Sequence, residues 1–214
     1  MNALPRAARL RGGVYAITDG PRDDLFAAVE AALAGGASLL QYRDKTDDAA
    51  RRLAEASEIA SICARYGVPF IVNDDVALAR ETGGGVHLGH TDVSIAIARE
   101  ELGPEAIIGV SCYGSVDRAR QLQAEGADYI GFGAMYPSTT KPHAAVAPHD
   151  VLTQAKTLGL PVVAIGGITP DNGRVLLEAG ADYLAVVSAI FAQPDIQTAT
   201  RRFAALFESR SGTL

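Results

Sequence analysis

The chain has 214 residues, 48% of them hydrophobic and 21% charged, which excludes a disordered polymer. Its 19 Lys and Arg face 25 Asp and Glu, a formal charge of −6 with the four His neutral. That balance argues against a nucleic-acid binder, whose phosphate contacts need clustered positive charge.

A domain of this size buries roughly 70% of its unfolded-chain surface and needs no disulfide to fold. The two cysteines, Cys63 and Cys112, belong to no C-x-x-C pair. They read as small buried residues in a reducing compartment. Residues 1–13 carry Arg6, Arg9 and Arg11 but no apolar core of signal-peptide length. No run approaches the roughly 18 apolar residues of a membrane helix. The expectation is a soluble, cytoplasmic protein without nucleic-acid or membrane partners; a homo-oligomer is compatible with it.

In chain order, residues 13–18 read as a first strand. Leu25, Val29, Ala32 and Leu33 then share one face of a helix. The phrase Gly36-Ala37-Ser38-Leu39-Leu40 follows, and it recurs as Gly126-Ala127-Asp128-Tyr129-Ile130 and Gly180-Ala181-Asp182-Tyr183-Leu184, with a looser copy at Gly84-Gly85-Val86-His87-Leu88. Each Gly ends a helix-like stretch and precedes a short apolar run. A helix that stops in a left-handed residue favours Gly there, and a strand buried on both faces reads as continuous apolar sequence. The phrase is therefore a helix-to-strand joint.

Strands are expected at 39–42, 70–73, 85–88, 107–111, 129–131, 162–165 and 183–187, with a second helix facing inward through Leu53, Ala56, Ile59, Ala60 and Cys63. Eight strands alternating with helices fit a parallel (β/α)8 TIM barrel. A doubly wound open sheet wants G-x-G-x-x-G after its first strand, where this chain has Ala16-Ile17-Thr18-Asp19-Gly20. With no linker or low-complexity stretch, residues 1–214 read as a single domain.

Reactive residues of such a barrel lie at the carboxyl ends of its strands. Gln41, Arg43 and Lys45 alternate and so point the same way, with two cations suited to phosphate. Their alternative is a solvated loop in which Arg43 pairs with Asp44 or Asp47. Asp74 and Asp92 follow adjacent strands and can share a hard cation such as Mg2+. Their alternative is helix capping, with Asp92 opening a helix near Val93. Gly166-Gly167, a helix start at Thr169-Pro170-Asp171-Asn172, and Ser188 after strand eight suggest a phosphate grip built on backbone N–H groups. A turn that simply requires Gly is the other reading. His87 and His90 suggest an acid–base pair, but His87 sits in an apolar segment and reads as a satisfied core histidine. His143 and His149 fall on a Pro-rich surface stretch. No nucleophile elbow and no H-E-x-x-H occurs. The stretch 136–148, with Pro137, Pro142 and Pro148, reads as a mobile lid.

Taken together, Gln41-x-Arg43-x-Lys45, Val72-Asn73-Asp74-Asp75, Gly85-Val86-His87-Leu88-Gly89, Ile108-Gly109-Val110-Ser111, Pro137-Ser138-Thr139-Thr140-Lys141 and Ala164-Ile165-Gly166-Gly167-Ile168 resemble the thiamine-phosphate synthase (thiamine-phosphate pyrophosphorylase) family over nearly the whole chain. The resemblance implies a transferase of thiamine biosynthesis. It would join 4-amino-2-methyl-5-hydroxymethylpyrimidine diphosphate to a thiazole ethyl phosphate, giving thiamine phosphate and diphosphate, with carbon dioxide when the thiazole is carboxylated. Carried over, Gln41, Arg43, Lys45, Asn73, Ser111 and Lys141 would hold the pyrimidine diphosphate. Asp74 and Asp92 would hold Mg2+, and Ser138, Thr140, Gly167, Val187 and Ser188 the thiazole phosphate. Arg43, Lys45 and Lys141 would carry the catalysis.

The chemistry is consistent with those residue types. Charge builds on the departing diphosphate, which cations stabilise, and the aminopyrimidine delocalises the cation left behind. The thiazole nitrogen then attacks, so no protein nucleophile is needed. His90 departs from the family, which usually has Gln there. The competing readings are a thiazole tautomerase-like isomerase, a sugar-phosphate epimerase or isomerase, and a non-catalytic phosphate-ligand sensor.

Overall fold

The computed structural model describes residues 6–137 and 145–208. A short helix α1 (Arg6–Arg9) leads into β1 (Gly13–Ile17), α2 (Leu25–Ala34), β2 (Ala37–Tyr42), α3 (Ala49–Tyr66), β3 (Phe70–Asn73), α4 (Val76–Thr82) and β4 (Gly85–Leu88). The second half continues with α5 (Ile95–Leu102), β5 (Ile108–Tyr113), α6 (Val116–Ala124), β6 (Tyr129–Phe132), α7 (Asp150–Ala155), β7 (Val162–Ile165), α8 (Gly173–Glu178) and β8 (Tyr183–Val186). Two helices, α9 (Ser188–Phe191) and α10 (Ile196–Glu208), follow. The strands are all parallel and pair in chain order, and β8 closes the barrel on β1.

Closure creates two cores, because successive residues of a strand point to opposite faces. Along β1, Val14 and Ala16 face outward to the helices, while Tyr15 and Ile17 face inward. The inner set includes Leu10, Leu39, Ile71, Ile107, Tyr129, Val163 and Tyr183, which fill the barrel as a packed floor. The tyrosines do so at matched small positions. A Cβ on Gly109 would lie 1.8 Å from the Tyr129 ring, so only glycine admits that ring.

The recurring phrase is the expected joint. Gly36, Gly126 and Gly180 have φ of 100°, 99° and 117°, each just past a helix. In the looser copy the left-handed residue is Gly83, one position earlier than the phrase suggested, with φ 67°.

Three sequence expectations change. Leu53 is 42% exposed, and α3 buries Ala56, Ile59, Ile62 and Cys63 instead. Residues 169–172 form a turn, with the Asn172 side chain accepting from the Thr169 N–H at 2.8 Å, and α8 begins at Gly173. Strand β5 runs two residues beyond Ser111. Cys63 and Cys112 are free and buried, and burial pushes both thiols up to about 12. Among the described residues no helix is long and apolar enough to cross a membrane.

Candidate active site

Parallel closure puts every strand's carboxyl end on one side of the barrel. There a cavity of about 680 Å³ opens, and Gln41, Arg43, Lys45, Asn73, Asp74 and Asp92 line one flank of it. Ser111, Gly167, Val187 and Ser188 line it as well. Ser138, Thr140, Lys141 and His143, with the middle of the 136–148 stretch, lie outside the described residues.

The alternation after β2 brings Gln41, Arg43 and Lys45 to the same cavity. The backbone at Arg43 is pinned by Thr18, whose hydroxyl accepts from the Arg43 N–H at 2.8 Å and donates to the Arg43 carbonyl. The expected alternative, Arg43 paired with Asp44, does not occur. Asp44 is buried, accepts from the Thr46 N–H at 2.7 Å and pairs with Arg51 at 2.8 Å. The Arg43 guanidinium has no ion pair or hydrogen bond with a described residue.

The capping alternative for the aspartates also fails, because their neighbours do the capping. Asp75 accepts from the Leu78 N–H at 3.0 Å and opens α4. Ser94 accepts from the Ile97 N–H at 3.3 Å and opens α5. Asp74 sits between strand and helix with φ 63°, a left-handed conformation uncommon outside glycine, and its N–H bonds the His87 carbonyl at 2.9 Å.

The Asp74 carboxylate accepts from the Asn73 amide at 2.6 Å and from the Lys45 ammonium. Asp92 accepts from the Gly89 N–H at 2.6 Å. The two carboxyls lie close enough to influence one another, and their acidities diverge. Burial opposes charge on Asp74, but bonded Lys45 outweighs it and holds the carboxyl below its ordinary range. Burial raises Asp92, and the Asp74 charge adds to that, partly offset by the Gly89 N–H. Two hard oxygen donors facing one cavity, neither of them spent on a helix cap, fit a cation such as Mg2+. Among the described residues no group of three or more His, Cys, Asp or Glu could hold a metal, so remaining ligands would have to come from substrate or water.

Across the cavity floor runs a chain of polar contacts. Gln41 Nε2 donates to the Tyr15 hydroxyl at 2.6 Å, and that hydroxyl lies 2.8 Å from the Tyr129 hydroxyl. Tyr129 in turn contacts His87 Nδ1 at 2.9 Å, and His87 Nε2 contacts Ser111 Oγ at 2.9 Å. Burial raises all three inner phenols above their ordinary range, Tyr183 to about 12. His87 is thus satisfied, as expected, but it lines the cavity rather than the closed core. His90 is exposed at the rim, where its N–H reaches the Tyr113 hydroxyl at 3.2 Å, so the two histidines form no acid–base pair. Tyr15 and Tyr129 were missed from sequence. The signals were their inward positions opposite small residues, Gly109 for Tyr129 and Ala185 for Tyr15.

Gly166 and Gly167 have φ of 104° and 63°. A Cβ on Gly167 would meet the Pro137 carbonyl oxygen at 2.5 Å, so its smallness serves the backbone after β6. The Gly167 carbonyl accepts from the Asn172 amide at 3.1 Å. Val187 and Ser188 lead into α9 beside this turn.

Residues 14–190 match the family described as thiamine monophosphate synthase. The chain belongs to that family. A thiamine-phosphate synthase of Thioalkalivibrio sulfidiphilus is 55% identical over 205 residues, covering 94% of this chain and 97% of its own. One from Thiobacillus denitrificans is 54% identical over 200 residues, covering 92% and 95%. A solved thiamine phosphate pyrophosphorylase from Pyrococcus furiosus superposes with a TM-score of 0.86 at 33% identity, covering 96% of this chain and all of that one. With the family come its fold, a (β/α)8 barrel, and its activity: a thiamine-phosphate synthase, a transferase of thiamine biosynthesis acting on small pyrimidine and thiazole substrates.

Proposed function

We propose that the cavity joins 4-amino-2-methyl-5-hydroxymethylpyrimidine diphosphate to thiazole ethyl phosphate, releasing diphosphate. The observation that carries this reading is the convergence of Arg43, Lys45 and the paired Asp74 and Asp92 at one mouth, with the helix caps supplied by Asp75 and Ser94. Asp74 and Asp92 would hold Mg2+, which when bound neutralises charge on the diphosphate oxygens.

Arg43, Lys45 and Lys141 stabilise charge that grows on the leaving group, an effect larger in the transition state than in the ground state. Asn73 orients Asp74, while Gln41 and Ser111 hold the pyrimidine end. Backbone N–H groups around Gly167, Val187 and Ser188, with Ser138 and Thr140, hold the thiazole phosphate. The packed floor below excludes water from the forming carbon–nitrogen bond, and the enzyme contributes position and electrostatics rather than a nucleophile.

We read residues 1–214 as one cytoplasmic domain; the closed barrel over the described residues supports the single-domain reading. The deciding experiment incubates pure protein and Mg2+ with each precursor and with both. Diphosphate release only with both supports the synthase reaction; release with the pyrimidine alone, or none at all, overturns it.

A further inference from the structure

The floor contacts have a direction, and it follows from proton counting. Gln41 donates through Nε2 to Tyr15, so the Tyr15 oxygen is an acceptor in that contact. Tyr15 has one proton, and Tyr129 is the neighbour available to take it, at 2.8 Å. Tyr129 has then accepted one bond and directs its own proton to His87 Nδ1 at 2.9 Å. A nitrogen that accepts carries no proton, so the imidazole proton sits on Nε2 and is donated to Ser111 Oγ, also at 2.9 Å. The Ser111 oxygen is thereby an acceptor inside the protein, and its own proton is left for the cavity.

We propose that Tyr15, Tyr129 and His87 form a directional relay that makes Ser111 a hydrogen-bond donor to a ligand oxygen while turning Gln41 Oε1 into the acceptor for a ligand amino group. The two ends are linked. Rotating the Gln41 amide would let its oxygen accept from Tyr15, reverse each phenol in turn and convert Ser111 into an acceptor. One chain of five residues across the barrel thus selects a ligand that offers an amine at one end and an electron-rich oxygen at the other.

The geometry leaves little slack for the reverse state. Tyr15 and Tyr129 are 1% and 0% exposed, so no solvent re-satisfies a misdirected phenol. The Tyr129 ring is locked by Gly109 beneath it and by stacking on His87, with centroids 5.6 Å apart and planes at 23°. These three are positioning residues, since they act through Gln41 and Ser111.

The catalytic part of the inference rests on the synthase reading; the tautomer part does not. Nitrogen-15 NMR of histidine-labelled protein, free of ligand, tests the latter. The expected spectrum assigns His87 to the Nε2–H tautomer; the Nδ1–H form would overturn the relay whether or not the protein releases diphosphate. In Tyr129→Phe the ring still fills its space, and His87 should lose its single tautomer. There kcat should fall about tenfold, the weight of one neutral hydrogen bond, with the KM for the thiazole phosphate unchanged. Tyr15→Phe, which breaks the chain one step further away, should give the same direction with a smaller fall. Lost tautomer with unchanged kcat in both variants would reduce the chain to packing and sink the proposal.

Discussion

Two pairs of neighbours divide labour at the mouth. Asp75 caps α4 while Asp74, one residue earlier, turns to Lys45 and Asp92; Ser94 caps α5 while Asp92 stays at the cavity. Substitutions should separate the two jobs. Asp74→Asn and Asp92→Asn remove charge at constant shape, so each should lower kcat by 10²-fold or more at limiting Mg2+ with little change in the unfolding midpoint, an estimate on the order of one lost transition-state contact. Asp75→Ala should show the opposite profile, losing about 1 kcal/mol of stability with kinetics retained. Parallel melts and steady-state assays on the three variants read this out. Lys141, named by sequence alone, belongs to the same scale. Lys141→Ala should lose about 10²–10³ in single-turnover rate, and Lys141→Arg should recover part of it, because the charge returns without the compact geometry. The carboxylates were visible in the sequence as candidates. Whether each was cap or ligand was not, since an acidic residue just past a strand serves either role and only the helix start decides.

The helix-to-strand joint is the unit repeated at the scale of elements. Beyond its glycine, the phrase carries an aspartate that ties two strands together. Asp128 accepts from the Ile108 N–H at the start of β5 at 2.8 Å and pairs with Arg99. Asp182 does the same for Val162 at the start of β7, at 2.9 Å, and pairs with Lys156. In the first copy Ser38 stands in that place and donates to backbone carbonyls instead. Asp128→Ala should therefore leave a strand N–H and the Arg99 guanidinium short of partners, at a cost of about 1–3 kcal/mol, with KM for both substrates unchanged because the phrase lies opposite the mouth. Chemical denaturation followed by circular dichroism measures it. The joints could be read from sequence because glycine after a helix and an apolar run after glycine are local signals. The relay could not: Tyr15 and Tyr129 are separated by 114 residues, and only barrel closure brings their hydroxyls together.

For the whole molecule, the barrel was legible from the count and alternation of its strands, whereas the mutual influence of Asp74 and Asp92 depends on side-chain placement that no spacing encodes. That pair by itself offers few ligands to a hard cation, so Mg2+ and diphosphate should bind as partners. Thermal melts should show a larger rise with both together than the sum of the rises with each alone, following the mass-action form in which about 100-fold saturation adds roughly 2.7 kcal/mol. Additive or absent shifts would mean the two do not meet at one site. The floor of Leu10, Tyr15, Tyr129 and Tyr183 has a last consequence, for traffic. With the barrel packed from beneath, the described residues offer a ligand a mouth at the strands' carboxyl ends and no passage along the barrel axis. On the proposed placement of the pyrimidine against Gln41 and Ser111, with its diphosphate toward Arg43 and Lys45, the diphosphate should depart before the joined product, an order that product-inhibition kinetics would read out.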